Sequence, residues 1–184
     1  MRVVLTAKEI NKAIDNIADS IIADRDDAEL TVVGIRSRGE VIAQRLAEKL
    51  SEKIDDNVPC GTLDITLYRD DLNMPQSGHA QPEVRTTEIG FDIDDKKIIL
   101  VDDVLFTGRS TRAAMDALID LGRPRQIKLA VLVERGGREF PIQADYIGFK
   151  ADVGSGEFVE VHLVESDGKD EVVVGSIEKR IFED

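Results

Sequence analysis

Cysteine, tryptophan and histidine are nearly missing from this chain. Cys60 is the one cysteine in 184 residues, and there is no tryptophan. A single thiol cannot close an intramolecular disulfide or build a cysteine-cluster zinc site. The two histidines, His79 and His162, stand far apart in sequence, so no direct protein-built metal site is expected. No apolar run approaches the roughly 18–20 residues of a membrane-crossing helix. The apolar part of Met1–Thr6 is too short for a secretory signal, which makes a cytoplasmic location and no membrane partner the expectation. Bases are also scarce, 24 against 37 acids, for a formal net charge of −13. A general nucleic-acid binder carries the opposite excess, because Lys and Arg must displace the counterions around phosphates. Acidity alone indicates solubility or adaptation to salt.

What is present suits one folded domain. Hydrophobic residues make up 42% of the chain, there are no repeats or linkers, and the length allows an ample core. Thr6-Ala-Lys-Glu9 is a capping-box pattern, and Ile10, Ile14, Ile17 and Ile21 follow at helical spacing, predicting a helix over 7–23. Residues 30–35 are β-branched and predict a strand. A turn at 36–39 then leads into an amphipathic helix over 40–53. Residues 61–68 alternate, predicting a half-exposed strand. Residues 69–88 carry Pro75, Gly78 and Pro82 with no apolar periodicity, which predicts a long flexible loop acting as a lid. A strand over 97–103, a helix over 110–121 and a strand over 126–133 follow. Short strands are predicted at 145–147, 158–164 and 171–174. Alternating strands and helices imply an α/β fold with a mostly parallel sheet.

The most informative stretch is Ile98-Ile-Leu-Val-Asp-Asp-Val-Leu-Phe-Thr-Gly-Arg-Ser110. Four apolar residues read as a strand covered on both faces. Asp102 and Asp103 then fall at its carboxyl end, where α/β sheets bind ligands. Thr107, Gly108, Arg109, Ser110 and Thr111 sit at a helix start, whose free N–H groups and dipole favour a phosphate. Hydroxyl acceptors beside phosphate donors suit a sugar phosphate. A bare Asp-Asp pair after a strand is more often a solvated turn, so the specificity lies in the whole string.

That string resembles the phosphoribosyl-pyrophosphate signature of type I phosphoribosyltransferases. Val33-Gly-Ile-Arg-Ser-Arg-Gly39, Leu63-Asp-Ile-Thr-Leu-Tyr-Arg-Asp-Asp71, Leu129-Ala-Val-Leu-Val-Glu-Arg135 and Pro141-Ile-Gln-Ala-Asp-Tyr146 resemble one branch of these enzymes, the pyrimidine-operon regulator (PyrR) family. The likeness runs in order along nearly the whole chain. It implies a type I phosphoribosyltransferase core with a small β-rich hood formed mainly by about 136–160. It also implies conversion of uracil and phosphoribosyl pyrophosphate to UMP and pyrophosphate, with magnesium carried on the substrate, in a homo-oligomer (dimer or larger). By the resemblance, Asp102 and Asp103 hold the ribose hydroxyls and Arg38 meets pyrophosphate, making these three the candidate catalytic residues. The expected phosphoribosyl-pyrophosphate site comprises Arg36, Ser37, Arg38 and Gly39, then Arg69 and Arg85, and the run Asp102, Asp103, Val104, Leu105, Phe106, Thr107, Gly108, Arg109, Ser110 and Thr111. Uracil is expected near Arg135, Tyr146, Ile147 and Val159, with Tyr146 and Phe149 open to a plain core role.

The chain departs from the family on its RNA-binding side. The family's first-helix arginine and histidine align with Asn16 and Asp19, and its hood histidine, arginine and lysine with Gly137, Gln143 and Phe149. Asp15, Asp24, Asp26 and Asp27 add negative charge at that end. The expectation is an intact catalytic edge with a weakened face for pyrimidine-leader RNA. The alternatives are an RNA-binding attenuator that senses nucleotides, or a purine-specific type I enzyme.

Overall fold

The computed structural model describes residues 1–70 and 86–177. Strand β1 (Arg2–Thr6) runs directly into helix α1 (Ala7–Ala23). The junction is fixed by Glu9, whose carboxylate accepts hydrogen bonds from the Thr6 N–H at 2.8 Å and the Thr6 hydroxyl at 2.7 Å. This is the back-bond of the expected capping box, and it satisfies a donor that the helix start leaves open. Strand β2 (Leu30–Ile35), helix α2 (Arg38–Ile54) and strand β3 (Cys60–Leu63) follow. Strand β4 (Lys97–Leu105), helix α3 (Arg109–Leu121), strand β5 (Gln126–Arg135) and strand β6 (Tyr146–Ala151) come next. Strand β7 (Glu157–His162), the one-turn helix α4 (Val164–Asp167) and strand β8 (Glu171–Ser176) end the described chain.

Five parallel strands in the order β3-β2-β4-β5-β6 make the central sheet. Its strands are apolar on both faces because helices cover both. On β4, Ile99 and Val101 enter the cluster with Ile14, Ile42 and Leu46 of α1 and α2, while Ile98 and Leu100 enter the one with Ala113, Ala117 and Leu118 of α3. Each such fully buried aliphatic side chain contributes about 1.5–3 kcal/mol. Gly34 lets α2 lie close on β2, since a Cβ there would stand 2.5 Å from the Glu40 Cα.

A separate antiparallel sheet has the order β1-β8-β7, with Arg2 opposite Val174 and His162 opposite Glu171. This differs from the hood expected at 136–160. Residues 146–151 instead form the edge of the parallel sheet beside β5, and the antiparallel sheet takes strands from both ends of the described chain. The strand expected over 61–68 ends at Leu63, because the Asp64 carboxylate accepts from the Thr66 N–H at 3.0 Å and its hydroxyl at 2.6 Å, turning the chain into a single 3-10 turn at Thr66–Tyr68. The strand expected over 158–164 likewise gives way to α4. Of the expected lid over 69–88, residues 71–85 lie outside the described residues. Glu88 beyond them pairs with Thr62 of β3.

Candidate functional site

The carboxyl ends of β2 and β4 border a cleft of about 370 Å³. Its walls are Ile35, Arg36 and Ser37 after β2, Asp64, Ile65, Thr66 and Arg69 after β3, Asp102, Asp103 and Val104 on β4, and Ser110 at the start of α3. The sheet delivers these residues together because parallel strands all end on the same side.

Asp102 and Asp103 continue β4 into the cleft. The Asp102 carboxylate accepts from the Asp103 N–H at 2.9 Å, and the Asp103 carboxylate from the Val104 N–H at 2.8 Å. Burial pushes the Asp102 carboxyl well above its ordinary range, and the neighbouring Asp103 charge pushes it further. Asp103 is raised by burial too, but the bond with Asp102, the Val104 N–H and the Arg38 charge all work against that. Burial thus raises both carboxyls, Asp102 more than Asp103, and the Arg38 charge favours the ionised form of Asp103. Such a pair is suited to receiving hydroxyl donors or a developing cation.

The turn after β4 requires glycine. Gly108 caps α3 with φ +90°, and a Cβ there would stand 3.3 Å from the Phe140 Cβ and 3.4 Å from the Ile142 Cβ. The Thr107 carbonyl accepts from the N–H groups of Glu139 at 2.9 Å and Phe140 at 3.0 Å, which fastens the turn to the chain beyond β5. At the start of α3 the Arg109 N–H donates to the Thr107 hydroxyl at 3.3 Å, and a helix start leaves its other early N–H groups without partners inside the helix. Ser110 lines the cleft, whereas Thr111 is buried. The Arg109 guanidinium is engaged elsewhere, with Glu139 at 2.6 Å, with Asp70, and over the Phe140 ring at 5.0 Å. Leu105 is core, and Phe106 is exposed.

At the end of β2 the Arg36–Ser37 peptide bond is cis. Arg36 pairs with Glu40 at 3.4 Å and Glu88 at 3.2 Å, and its buried Nε has no partner among the described residues. Arg38, on the first turn of α2, donates from Nε and Nη2 to Asp167 at 3.2 and 2.9 Å. Gly39 is pressed against β4, where a Cβ would stand 2.7 Å from the Val101 carbonyl oxygen. Arg69 lines the cleft, and Arg85 lies outside the described residues.

The residues expected around uracil do not gather. Arg135 is buried at the end of β5, its guanidinium 4.1 Å from the Phe106 ring centre and donating to the Glu157 carbonyl at 2.9 Å. It walls the space beside Phe106. Tyr146 is instead a core residue whose hydroxyl donates to Asp24 at 2.6 Å. Asp24 is bound to Lys97, the first residue of β4, so that hydroxyl points to the amino end of the sheet. Ile147 packs into the α3-side core and Val159 against the α1–α2 side, both filling layers between elements. Phe149 packs on the same α1–α2 side.

Sequence reasoning missed Asp64, Ile65 and Thr66 as cleft residues, although Asp-x-Thr is a recognisable turn pattern. It also missed Asp167 and Glu157, whose roles depend on pairing across the fold and leave no local signal. The acids counted as repulsive on the RNA side are mostly paired. Asp15 meets Lys49 at 2.8 Å, Asp19 meets Lys53 at 2.7 Å and Asp27 meets Arg125 at 3.2 Å, while Asp24 and Asp26 flank the buried Lys97. Gly137 has φ +105°, and a Cβ there would stand 2.4 Å from Phe106 Cε2, so no larger residue fits without movement.

Among the described residues no three or more His, Cys, Asp or Glu side chains gather to hold a metal ion, and no helix is long and apolar enough to cross a membrane. The family model for a phosphoribosyl transferase domain matches residues 4–166. The chain is 52% identical over 176 residues to the bifunctional protein PyrR of Deinococcus deserti, covering 95% of this chain and 94% of that protein. It is 51% identical over 173 residues to the bifunctional protein PyrR of Bacillus mycoides, covering 94% and 96%. Among solved structures, the hypoxanthine phosphoribosyl transferase of Trypanosoma cruzi superposes with a TM-score of 0.72 at 17% identity, covering 99% of this chain and 94% of that one. That likeness establishes the fold.

Proposed function

The chain belongs to the PyrR family of phosphoribosyltransferases, and from that premise we propose that it converts uracil and phosphoribosyl pyrophosphate to UMP and pyrophosphate. The observation that carries the reading is the Asp102–Asp103 pair opening onto a cleft that Ser110, at the start of α3, and Arg36 and Ser37, at the end of β2, also line.

Bond breaking at the anomeric carbon builds positive charge on the ribose and negative charge on the leaving pyrophosphate. Asp102 and Asp103 accept the ribose hydroxyls and keep negative potential near the developing cation. Hydroxyl and N–H groups from Thr107 to Thr111 receive the 5′-phosphate. Arg38, with Arg36 beside it, meets the pyrophosphate. The donors available at the cleft, the hard carboxylate oxygens of Asp102 and Asp103, fit magnesium carried by the substrate, which would supply charge neutralisation for the leaving group. Catalysis is then chiefly placement and charge stabilisation, with the Arg135–Phe106 stack as a wall for the base.

The same proposal includes a homo-oligomer and weak binding of pyrimidine-leader RNA. On the first helix, Asn16 is neutral, and Asp15 and Asp19 hold Lys49 and Lys53 of α2, which lowers the positive potential offered to phosphates around these positions. A purine-specific reading rests on fold likeness alone.

The test is nucleotide formation from phosphoribosyl pyrophosphate and magnesium with uracil, hypoxanthine, guanine or orotate offered separately. UMP from uracil, with little product from the others, is the expected result. Product from hypoxanthine or guanine but not uracil would move the assignment to a purine enzyme.

A further inference from the structure

Arg38 and Arg45 lie about two turns apart on one side of α2, and both reach the segment that joins β7 to β8. Arg45 binds Glu165 at 2.6 Å and Asp170 at 2.7 Å. Among the described residues Arg38 is gripped by Asp167, through the edge formed by Nε and Nη2. Asp167 is itself anchored, accepting the Leu163 N–H at 2.9 Å. A guanidinium has a second edge, made by Nη1 and the remaining N–H of Nη2, which suits a phosphate as well as the first suits a carboxylate. Gly39, the next residue of α2, lies against Asp102, where a Cβ would stand 3.2 Å from the Asp102 Cα, so Arg38 sits on the turn of α2 that borders the cleft carboxylates, and its charge favours the ionised form of Asp103.

A cation on the first turn of a helix is disfavoured by the helix dipole and, as a long side chain, has many rotamers. Asp167 offsets the first and removes the second. We propose that Asp167 is a positioning residue, holding Arg38 by one edge so that its other edge is presented to the diphosphate of the phosphoribosyl donor. This rests on the reading of the cleft given above. It assigns a function to the α4 segment, which lies outside the cleft walls.

The experiment measures binding of magnesium pyrophosphate by calorimetry to the full chain and to Asp167→Asn, Glu165→Gln and Asp167→Glu. Binding by the unaltered protein supports the cleft reading, and its failure to bind would overturn that reading first. Given binding, Asp167→Asn should weaken affinity roughly tenfold and raise the KM for phosphoribosyl pyrophosphate, leaving the KM for uracil unchanged. Glu165→Gln, which loosens the same segment without touching Arg38, should bind as the unaltered protein does. Asp167→Glu keeps the charge but displaces it by a methylene, so it should show the same selective loss and stands in if the asparagine variant does not fold. Equal affinity in the Asp167 variants would overturn the proposal, as would an equal loss in Glu165→Gln. Tighter binding in Asp167→Asn would mean that Asp167 competes with the ligand, and would also overturn it.

Discussion

Gly39 and Asp102 are in backbone contact across the start of the cleft. A Cβ on Gly39 would stand 3.2 Å from the Asp102 Cα and 3.4 Å from its Oδ1, as well as 2.7 Å from the Val101 carbonyl oxygen. The neighbours are backbone and cannot give way as a flexible side chain would. Gly39→Ala should therefore cost about 1–3 kcal/mol of stability, as overpacking does, and should shift the carboxylate pair. Urea unfolding together with turnover checks this. A variant with unchanged midpoint and kcat would show that the two elements separate easily.

Asp102→Asn and Asp103→Asn should each lower turnover by about 2–4 kcal/mol of transition-state stabilisation, by analogy with other lost electrostatic groups. Stability should move the other way for Asp102→Asn. A carboxyl raised by folding contributes stability that is full below its unfolded pKa and is lost as pH rises through its folded value. The amide never ionises, so the Tm of Asp102→Asn relative to the unaltered protein should climb as pH rises above the ordinary carboxylate range. A difference in Tm that stays flat with pH would mean that burial does not raise Asp102.

Tyr146→Phe should cost about 1 kcal/mol by leaving Asp24 without its hydroxyl partner. The KM for uracil should stay where it is, because the hydroxyl faces the amino end of the sheet. A several-fold rise in that KM alone, at unchanged Tm, would return Tyr146 to the base site.

These positions also show where sequence is legible. The parallel core was readable because each of its strands and helices writes a local pattern: four apolar residues from Ile98 to Val101 for a strand covered on both faces, a 3.6-residue period in α1. Asp102, Asp103 and Ser110 were readable because one continuous strand–turn–helix carries them. β1 was not, since Arg2–Thr6 becomes a strand only by pairing with Glu171–Val174 at the far end of the chain. The pairings of the Tyr146 and Arg109 side chains were not legible for another reason. Their positions in sequence are near the site, but their side chains are drawn away by Asp24, and by Glu139 and Asp70, partners that no local spacing reveals.

RNA binding tests the charge argument. A pyrimidine-leader transcript should not shift with the unaltered protein on a native gel at moderate salt. Asn16→Arg with Gln143→Arg, both exposed sites, should raise affinity without changing turnover. Histidine at Gly137 is not a usable restoration, because its φ and the Phe106 ring oppose any Cβ. Tight, salt-sensitive binding by the unaltered protein at submicromolar concentration would place the RNA surface elsewhere.

The central strand of the antiparallel sheet is β8, the last strand among the described residues, and its neighbour β1 is the first of them. On a ribosome, β1 therefore waits unpaired while the parallel sheet is translated, and Arg38 emerges 129 residues before the carboxylate that grips it. The parallel core can close on its own contacts, but the antiparallel sheet cannot form until β8 is out, nor the grip on Arg38 until Asp167 is. Amide protection during refolding should accordingly appear in β2, β4 and β5 ahead of β1 and β8, and simultaneous protection of all five would show a single concerted step. The nascent protein would acquire its shape before its hold on the substrate.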